Sequence, residues 1–220
     1  QQGWAKATAY NRGQILYRIA EMLEGRAEQC AAEISATTAI TPLKAQSMVS
    51  EAIDRWVWYA GWSDKLSAVT GATNPVAGPY YNFTIPEPLG VVVVTASDSF
   101  IDFIDAIAAA VVSGNSVIAL VDGGLSVPAM TFAEVLATSD LPAGVINILT
   151  GSLDELAPWA ASHMDVDGFD ISAIGKKKRA ELKVAGAENL KRIYIADGKL
   201  TPSRILAFME QKTVWHTIGV

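Results

Sequence analysis

The 220-residue chain is 50% apolar and 18% charged, too rich in the first and too poor in the second for a disordered polymer. Its 17 Lys and Arg against 23 Asp and Glu leave a net charge of −6, which argues against general binding of nucleic acid or an anionic membrane, though not against a local basic patch. A single Cys excludes a disulfide scaffold and a Cys-rich zinc site.

Residues 1 to 66 read as helix. Ile15, Leu16, Ile19, Leu23, Ala27, Cys30, Ala31 and Ile34 recur at helical spacing and form one stripe, with Arg12, Arg18, Glu21, Glu24 and Glu28 largely off it. A second helix is predicted from Pro42 to Ala60, with Thr41 as cap, Pro42 in the first turn and Gly61 as stop; Val49, Ala52, Ile53, Trp56 and Tyr59 or Ala60 face inward. From 67 to 89 the chain is punctuated by Gly71, Asn74, Pro75, Gly78, Pro79, Pro86 and Pro88, and Tyr80 to Ile85 has the composition of an edge or excursion strand.

From Gly90 strands and helices alternate. Strand Val91 to Thr95 is a β-branched run suited to burial on both faces. Helix Phe100 to Val112, strand Ser116 to Val121, helix Val127 to Ala137, strand Val145 to Leu149 and helix Leu153 to Ala161 follow. A weaker strand, Asp167 to Ser172, precedes helix Lys176 to Ala187 and strand Leu190 to Ala196; Gln211 to Ile218 is one more strand. Such alternation with short loops predicts an α/β fold, a parallel sheet with helices on both faces. The most apolar stretch, Ala106 to Val121, is interrupted by Ser113-Gly114-Asn115 and falls short of the roughly 18 residues of a membrane span, so no span is expected. No secretion signal opens the chain, and a cytoplasmic location is expected. The first residue is Gln1, not Met, as in a piece of something longer.

A parallel sheet places ligands beyond the carboxyl ends of its strands. The local signals for a nucleotide are weak: no G-x-G-x-x-G follows a strand and no G-x-x-x-x-G-K-[ST] occurs. Gly123-Gly124 would let a ligand approach the backbone or simply make a tight turn, the plainer reading, and Asp122 beside them would repel a pyrophosphate. Asp165, Asp167 and Asp170 near His163 match no calcium loop and read as a solvated approach to a strand. Lys176-Lys177-Lys178-Arg179 opens a helix, where cations oppose the dipole; it reads as a solvated run, with an acidic partner surface as the alternative. Trp56 and Trp159 are expected in the core, Trp58 and Trp62 either there or at an interface, and His216 has no metal role.

Leu141-Pro142-Ala143-Gly144-Val145-Ile146-Asn147-Ile148-Leu149-Thr150-Gly151 resembles the LPAGVxNxxTG segment of the aldehyde dehydrogenase superfamily. In the same order, Glu87-Pro88-Leu89-Gly90-Val91 resembles EPxGV, Ala110 to Val117 resembles ALxxGNxVV, and Ser162 to Asp167 resembles xHxDVD. Arg12 to Arg26 is similar to that family's first long helix, Tyr59 to Lys65 to YYAGxADK, and Gln211 to Trp215 to its last strand. The resemblance implies a Rossmann-like sheet at 90–198, N-terminal helices at 1–66 packing on it, and a β-strand oligomerisation-type arm formed by excursion strands at 67–89 and a terminal strand at 199–220. Tyr81, Phe83, Val214 and Trp215 are its expected interface residues.

Carried over residue by residue, the working parts are missing. The position of the family's oxyanion Asn looks like Ser99, and that of the Lys on the cofactor ribose looks like Leu120. The Gly-Ser at the cofactor phosphates matches Ala173 and Ile174. The ELGGK segment that carries the general base matches Ile195-Ala196-Asp197-Gly198-Lys199 only with a gap and without a Glu. The domain that carries the Cys nucleophile has no counterpart before the terminal strand, and Cys30, mid-stripe on a helix, reads as a small core residue. The chain looks most like the degenerate C-terminal domain of two-domain, sixteenth-family members. The expectation is therefore a non-catalytic scaffold with no catalytic residue, metal or cofactor of its own, NAD belonging to the parent family. Its expected partners are an aldehyde dehydrogenase catalytic domain of the same or another chain and a second copy in a homodimer, not nucleic acid or membrane. The alternative is a nucleotide-binding regulatory module without chemistry.

Overall fold

The computed structural model describes residues 1–219; Val220, the end of the expected terminal segment, lies outside them. The chain opens with helices α1 (Gln2–Lys6), α2 (Ala9–Glu24), α3 (Ala27–Thr37), α4 (Pro42–Ala60) and α5 (Leu66–Thr70). The single stripe expected from Ile15 to Ile34 is split. Arg26 leaves helical geometry (φ −117°, ψ 13°) just after Gly25, so Leu16, Ile19 and Leu23 are buried by α2 while Cys30, Ala31 and Ile34 are buried by α3. The break lets one apolar stripe be laid along two differently directed helices. Helix α4 has the predicted bounds, but Thr41 makes no side-chain cap bond; Pro42, preset to helical φ, marks the start. Trp58 and Trp62 are partly buried against the core and against each other.

Strands β1 (Ala72–Asn74), β2 (Tyr80–Pro88) and β8 (Met209–Thr217) form an antiparallel sheet in the order β1-β2-β8. The pairing of β2 with β8 runs unbroken from Tyr80↔Thr217 to Pro88↔Met209. Strand β2 therefore continues through Pro86 and Pro88, past the predicted end at Ile85. Strand β1 covers only Asn82 to Thr84, so both prolines lie where β2 is an edge and no donor is missed.

Strands β3 (Val91–Ala96), β4 (Ser116–Val121), β5 (Ile146–Thr150), β6 (Gly168–Asp170) and β7 (Arg192–Tyr194) form the expected parallel sheet, in the order β5-β4-β3-β6-β7. Helices α6 (Phe100–Val111), α7 (Ser126–Ala137), α8 (Leu153–Ser162) and α9 (Lys176–Ala187) make the crossovers, and α10 (Ser203–Leu206) leads to β8. Alternate residues of each strand face opposite layers. Val92, Val94, Ala96, Val117, Ala119 and Val121 point into the larger core with α2 to α4, α6 and α7, while Val93, Leu120 and Phe169 point into a smaller one under α8 and α9.

Trp159, expected in the core, is 73% exposed. The buried stripe of α8 is Leu153, Ala157 and Ala161, and two residues at about 100° each carry Trp159 to the opposite side. Among the described residues no helix is long and apolar enough to cross a membrane.

Candidate functional site

The strand order reverses beside β3: the chain leaves it for β4 and β5 on one side and returns to β6 and β7 on the other. A crevice of about 290 Å³ opens there, at the carboxyl ends of β3, β6 and β7, which is where such sheets hold ligands. Thr95, Ser97, Asp98, Ser99, Asp102, Ser172, Ala173, Gly198 and Arg204 are among its lining residues.

Of the positions singled out by sequence, the structure brings Ser99 and Ala173 to the crevice and sends Leu120 and Ile174 away from it. Ser99 caps α6, its Oγ accepting from the Asp102 backbone N–H at 3.2 Å. The backbone N–H of Ala173 donates to Thr95 Oγ1 at 3.3 Å. Leu120 and Ile174 are buried in the smaller core under α8 and α9. Asp197 and Gly198 make a tight turn in which the Asp197 carboxylate accepts from the Lys199 N–H.

The floor is an ion pair. Asp170 on β6 is fully buried, and Arg204 on α10 reaches its Oδ2 with Nε at 3.2 Å and Nη2 at 2.7 Å. Asp170 Oδ1 accepts from the Ser172 N–H at 2.9 Å and from the Ser172 hydroxyl, whose oxygen accepts from the Ala196 N–H at 2.7 Å. Thr95 Oγ1 donates to the Asp170 carbonyl at 2.9 Å. The network ties β3, β6, the loop after β7 and α10 together across the carboxyl end of the sheet. Burial alone would lower the Arg204 pKa; the Asp170 carboxylate outweighs it and holds the guanidinium charged. Behind the floor, Asp105 of α6 meets Arg55 of α4 at 3.2 Å, and its Oδ1 has no hydrogen-bond partner among the described residues. Burial raises Asp105 to about 6, against the opposing pull of Arg55 and Arg204. No motif marks Arg204. The available signal was Asp170 itself, since a carboxylate inside a buried strand calls for a cation.

The helix N-termini facing this end carry carboxylates. Asp122 Oδ1 accepts from the Gly123 N–H at 2.6 Å, and its Oδ2 takes the Leu153 N–H at the start of α8 at 2.9 Å. Asp154 and Glu155 stand in the same first turn, and Asp102 in that of α6. An anion at either end would meet acid where a phosphate site offers free amides. Gly124 is packed against α3: a Cβ there would run into the Thr37 carbonyl oxygen, and Thr37 Oγ1 donates to the Gly124 carbonyl at 2.6 Å. The glycine pair is thus a close approach of the chain to itself, in line with the tight-turn reading.

Cys30 is wholly buried in α3, and burial together with Glu33 raises its thiol to about 12, so no thiolate forms near neutral pH. Asp165, Asp167 and Asp170 do not converge: Asp167 Oδ2 accepts from the Val91 N–H and Asp170 is committed to Arg204. No group of three possible metal ligands occurs among the described residues. In the basic run, Arg179 donates to the carbonyls of Ile174 and Ser172, both at 2.8 Å, and Lys178 pairs with Asp154 at 2.6 Å.

The antiparallel sheet separates the four expected interface residues. Cross-strand partners share a face, so Phe83 and Val214 point the same way with Tyr81, two residues from Phe83. Trp215 pairs with Asn82 and points to the other face, edge-on to Tyr80 with centroids 5.8 Å apart.

Compared with known proteins, residues 1–210 match the profile of the aldehyde dehydrogenase family. The chain is 29% identical over 211 residues to mouse cytosolic 10-formyltetrahydrofolate dehydrogenase, covering 93% of this chain and 23% of that protein. It is 28% identical over 207 residues to chicken retinal dehydrogenase 2, covering 93% and 39% respectively. A putative aldehyde dehydrogenase from Burkholderia cenocepacia superposes with TM-score 0.79 at 27% identity, covering 87% of this chain and 40% of that one. Betaine aldehyde dehydrogenase from Staphylococcus aureus, solved in complex with NAD+, superposes with TM-score 0.80 at 20% identity, a likeness of fold, over 87% of this chain and 38% of that one. The chain spans a quarter to two fifths of the length of these relatives.

Proposed function

The chain belongs to the aldehyde dehydrogenase family, and from that premise we propose that it is a non-catalytic domain of that family, serving to hold together or assemble a larger enzyme. The observation that carries this reading is the crevice at the switch point. Its floor is taken by the Asp170–Arg204 pair, and acid stands at the helix N-termini where a dinucleotide's phosphates would need free amides. These residues do not fit a dinucleotide, so no hydride-transfer step is assigned to them. The buried thiol of Cys30 supplies no nucleophile.

In this reading NAD and aldehyde oxidation belong to a catalytic domain of the same or another chain. The antiparallel sheet is the contact element. Among the described residues strand β8 pairs with β2 along one side only, and such a strand edge beside exposed Tyr81 and Trp215 is a template for association. The isolated chain is expected to form a homodimer, and the assembly to work in the cytoplasm.

Propionaldehyde with NAD is the direct assay. Turnover above a heat-killed control that survives Cys30→Ala overturns the reading. The competing reading, a nucleotide-binding regulatory module, draws on the Thr95, Ser97 and Ser99 hydroxyls that still line the crevice. It predicts a rise in melting temperature with millimolar NAD, NADP or ATP, the stabilisation reaching about 2.7 kcal/mol at a hundredfold excess over the dissociation constant; the scaffold reading predicts none. Light scattering tests the contact element: Val214→Asp should turn a dimer into a monomer, and a monomer at submillimolar wild-type concentration refutes that part.

A further inference from the structure

Strand β8 has two edges, and the hydrogen bonds at its ends fix which backbone groups lie on each. The Ile218 N–H donates to the Pro79 carbonyl at 2.9 Å, and at the other end the Leu89 N–H donates to the Phe208 carbonyl at 3.3 Å. Hydrogen-bonded residues alternate along an antiparallel pair. With the register from Tyr80↔Thr217 to Pro88↔Met209, Glu210, Lys212, Val214 and His216 therefore spend their N–H and C=O groups on β2. Those of Gln211, Thr213, Trp215 and Thr217 point away from it. Met209 follows the same alternation: its carbonyl accepts not from β2 but from Arg192, and the residue is buried. Among the described residues the open edge thus runs from Gln211 to Thr217.

The opposite edge of this sheet is blunted. It is the short β1, and where β1 stops, β2 presents Pro86 and Pro88, which have no N–H to offer. On β8, Thr213-Val214-Trp215-His216-Thr217 contains no Pro, Lys, Arg, Asp or Glu, and Trp215 is largely exposed. Lys212 just before it is paired with Glu87 at 3.1 Å. A long, exposed, uncharged edge is the form that pairs with another strand. A second copy offers the same edge, and pairing like with like about a two-fold axis closes the assembly at two.

The alternation also limits the register. Outward groups meet outward groups only when an odd-numbered residue faces an odd-numbered one, so the axis passes through a residue position and not between two. An axis at Lys212 sets that residue against its own copy, like charges directly opposite. An axis at Thr213 runs the ladder onto buried Met209. An axis at Val214 faces Gln211 with Thr217 and Thr213 with Trp215 of the second copy, and every open residue is used. The two Val214 side chains then meet in a pair without mutual hydrogen bonds, where cross-strand side chains lie closest.

We propose, taking the antiparallel sheet as the contact element, that two copies of the chain join edge to edge through β8 about a two-fold axis at Val214, giving one continuous sheet in the order β1-β2-β8-β8-β2-β1.

Cysteine cross-linking and light scattering test this. Cys30 is buried, so a cysteine introduced on β8 is the reactive one. Val214→Cys should form a covalent dimer under mild oxidation, seen on a non-reducing gel. Thr213→Cys should not, because its two copies lie diagonally, roughly 7–8 Å apart. Thr213→Pro removes an outward N–H that β2 does not use, as Pro86 and Pro88 do on β2, and should halve the molar mass at submillimolar concentration with its melting temperature little changed. A wild-type chain that is monomeric there overturns the homodimer reading and this pairing with it. A dimer that survives Thr213→Pro and does not cross-link at Val214 leaves the homodimer standing and overturns the pairing through β8. Cross-linking at Thr213 in place of Val214 overturns the register. The cross-linking results keep the test decisive should Thr213→Pro not fold.

Discussion

Replacing Arg204 by Met is the sharpest test of the crevice floor. Methionine keeps much of the aliphatic volume and removes both charged hydrogen bonds to Asp170, the Nε contact at 3.2 Å and the Nη2 contact at 2.7 Å. Asp170 has no exposed surface, so its carboxylate is left with the Ser172 donors alone and no counter-charge in contact. Breaking one side of such a buried pair typically costs about 3–5 kcal/mol, most of it the penalty of an uncompensated charge. For a chain of this size each kcal/mol moves the melting temperature by roughly 2–4 °C, so a fall of roughly 6–20 °C is expected by circular dichroism. Urea titration gives the free energy directly. Asp170→Asn in the Arg204→Met background removes the stranded charge and should recover part of the loss, a coupling of about 1.5–3 kcal/mol. A loss below about 1 kcal/mol for Arg204→Met would show that water reaches the pair and that the floor is not closed.

Asp105 gives a pH signature. Burial raises its carboxyl from 3.8 to about 6, so the native state prefers the protonated form. That contribution is complete below 3.8 and is lost as the pH rises through about 6, a change of about 3 kcal/mol. Urea titrations between pH 3.5 and 7.5, on the order of one per half unit, should show Asp105→Asn gaining on wild type across this window; parallel pH profiles would refute the assignment. Leu190 is exposed and held at φ 57°, a left-handed position after α9 where glycine is usual. Leu190→Gly should stabilise by about 1 kcal/mol, and a loss in thermal melts would contradict this. Gly124→Ala drives a methyl into the Thr37 carbonyl, and about 1–3 kcal/mol of destabilisation is expected; a neutral result would mean that α3 and the β4–α7 loop are not in close contact.

Much of the fold was legible because it rests on local periodicity. The β-branched run at Val91, the strand at Ser116 to Val121 and the helices at Pro42 and Lys176 lie where the pattern places them. The same patterns, with the segment from Leu141 to Gly151, carried the family resemblance. They also pointed to Ser99, Leu120, Ala173 and Ile174 as the matches of that family's site positions, of which the structure brings Ser99 and Ala173 to the crevice. Faces and partners were less legible. Trp159 suits a core by composition, yet its angular position on α8 turns it outward. The split of α2 from α3 hinges on the backbone of Arg26, which an unbroken apolar stripe conceals.

The sequence by itself determined the alternation of strand and helix and the parallel sheet, since each depends on neighbours a few residues apart. The tertiary structure alone decided what surrounds the crevice at the switch point. Asp170 and Arg204 are 34 residues apart and form one buried pair. Asp122 reaches from the end of β4 to cap α8, 31 residues on. The pairing register put Trp215 on the opposite face from Val214. Long-range pairing of charges and the facing of side chains are set by how elements pack, and no local pattern records that packing.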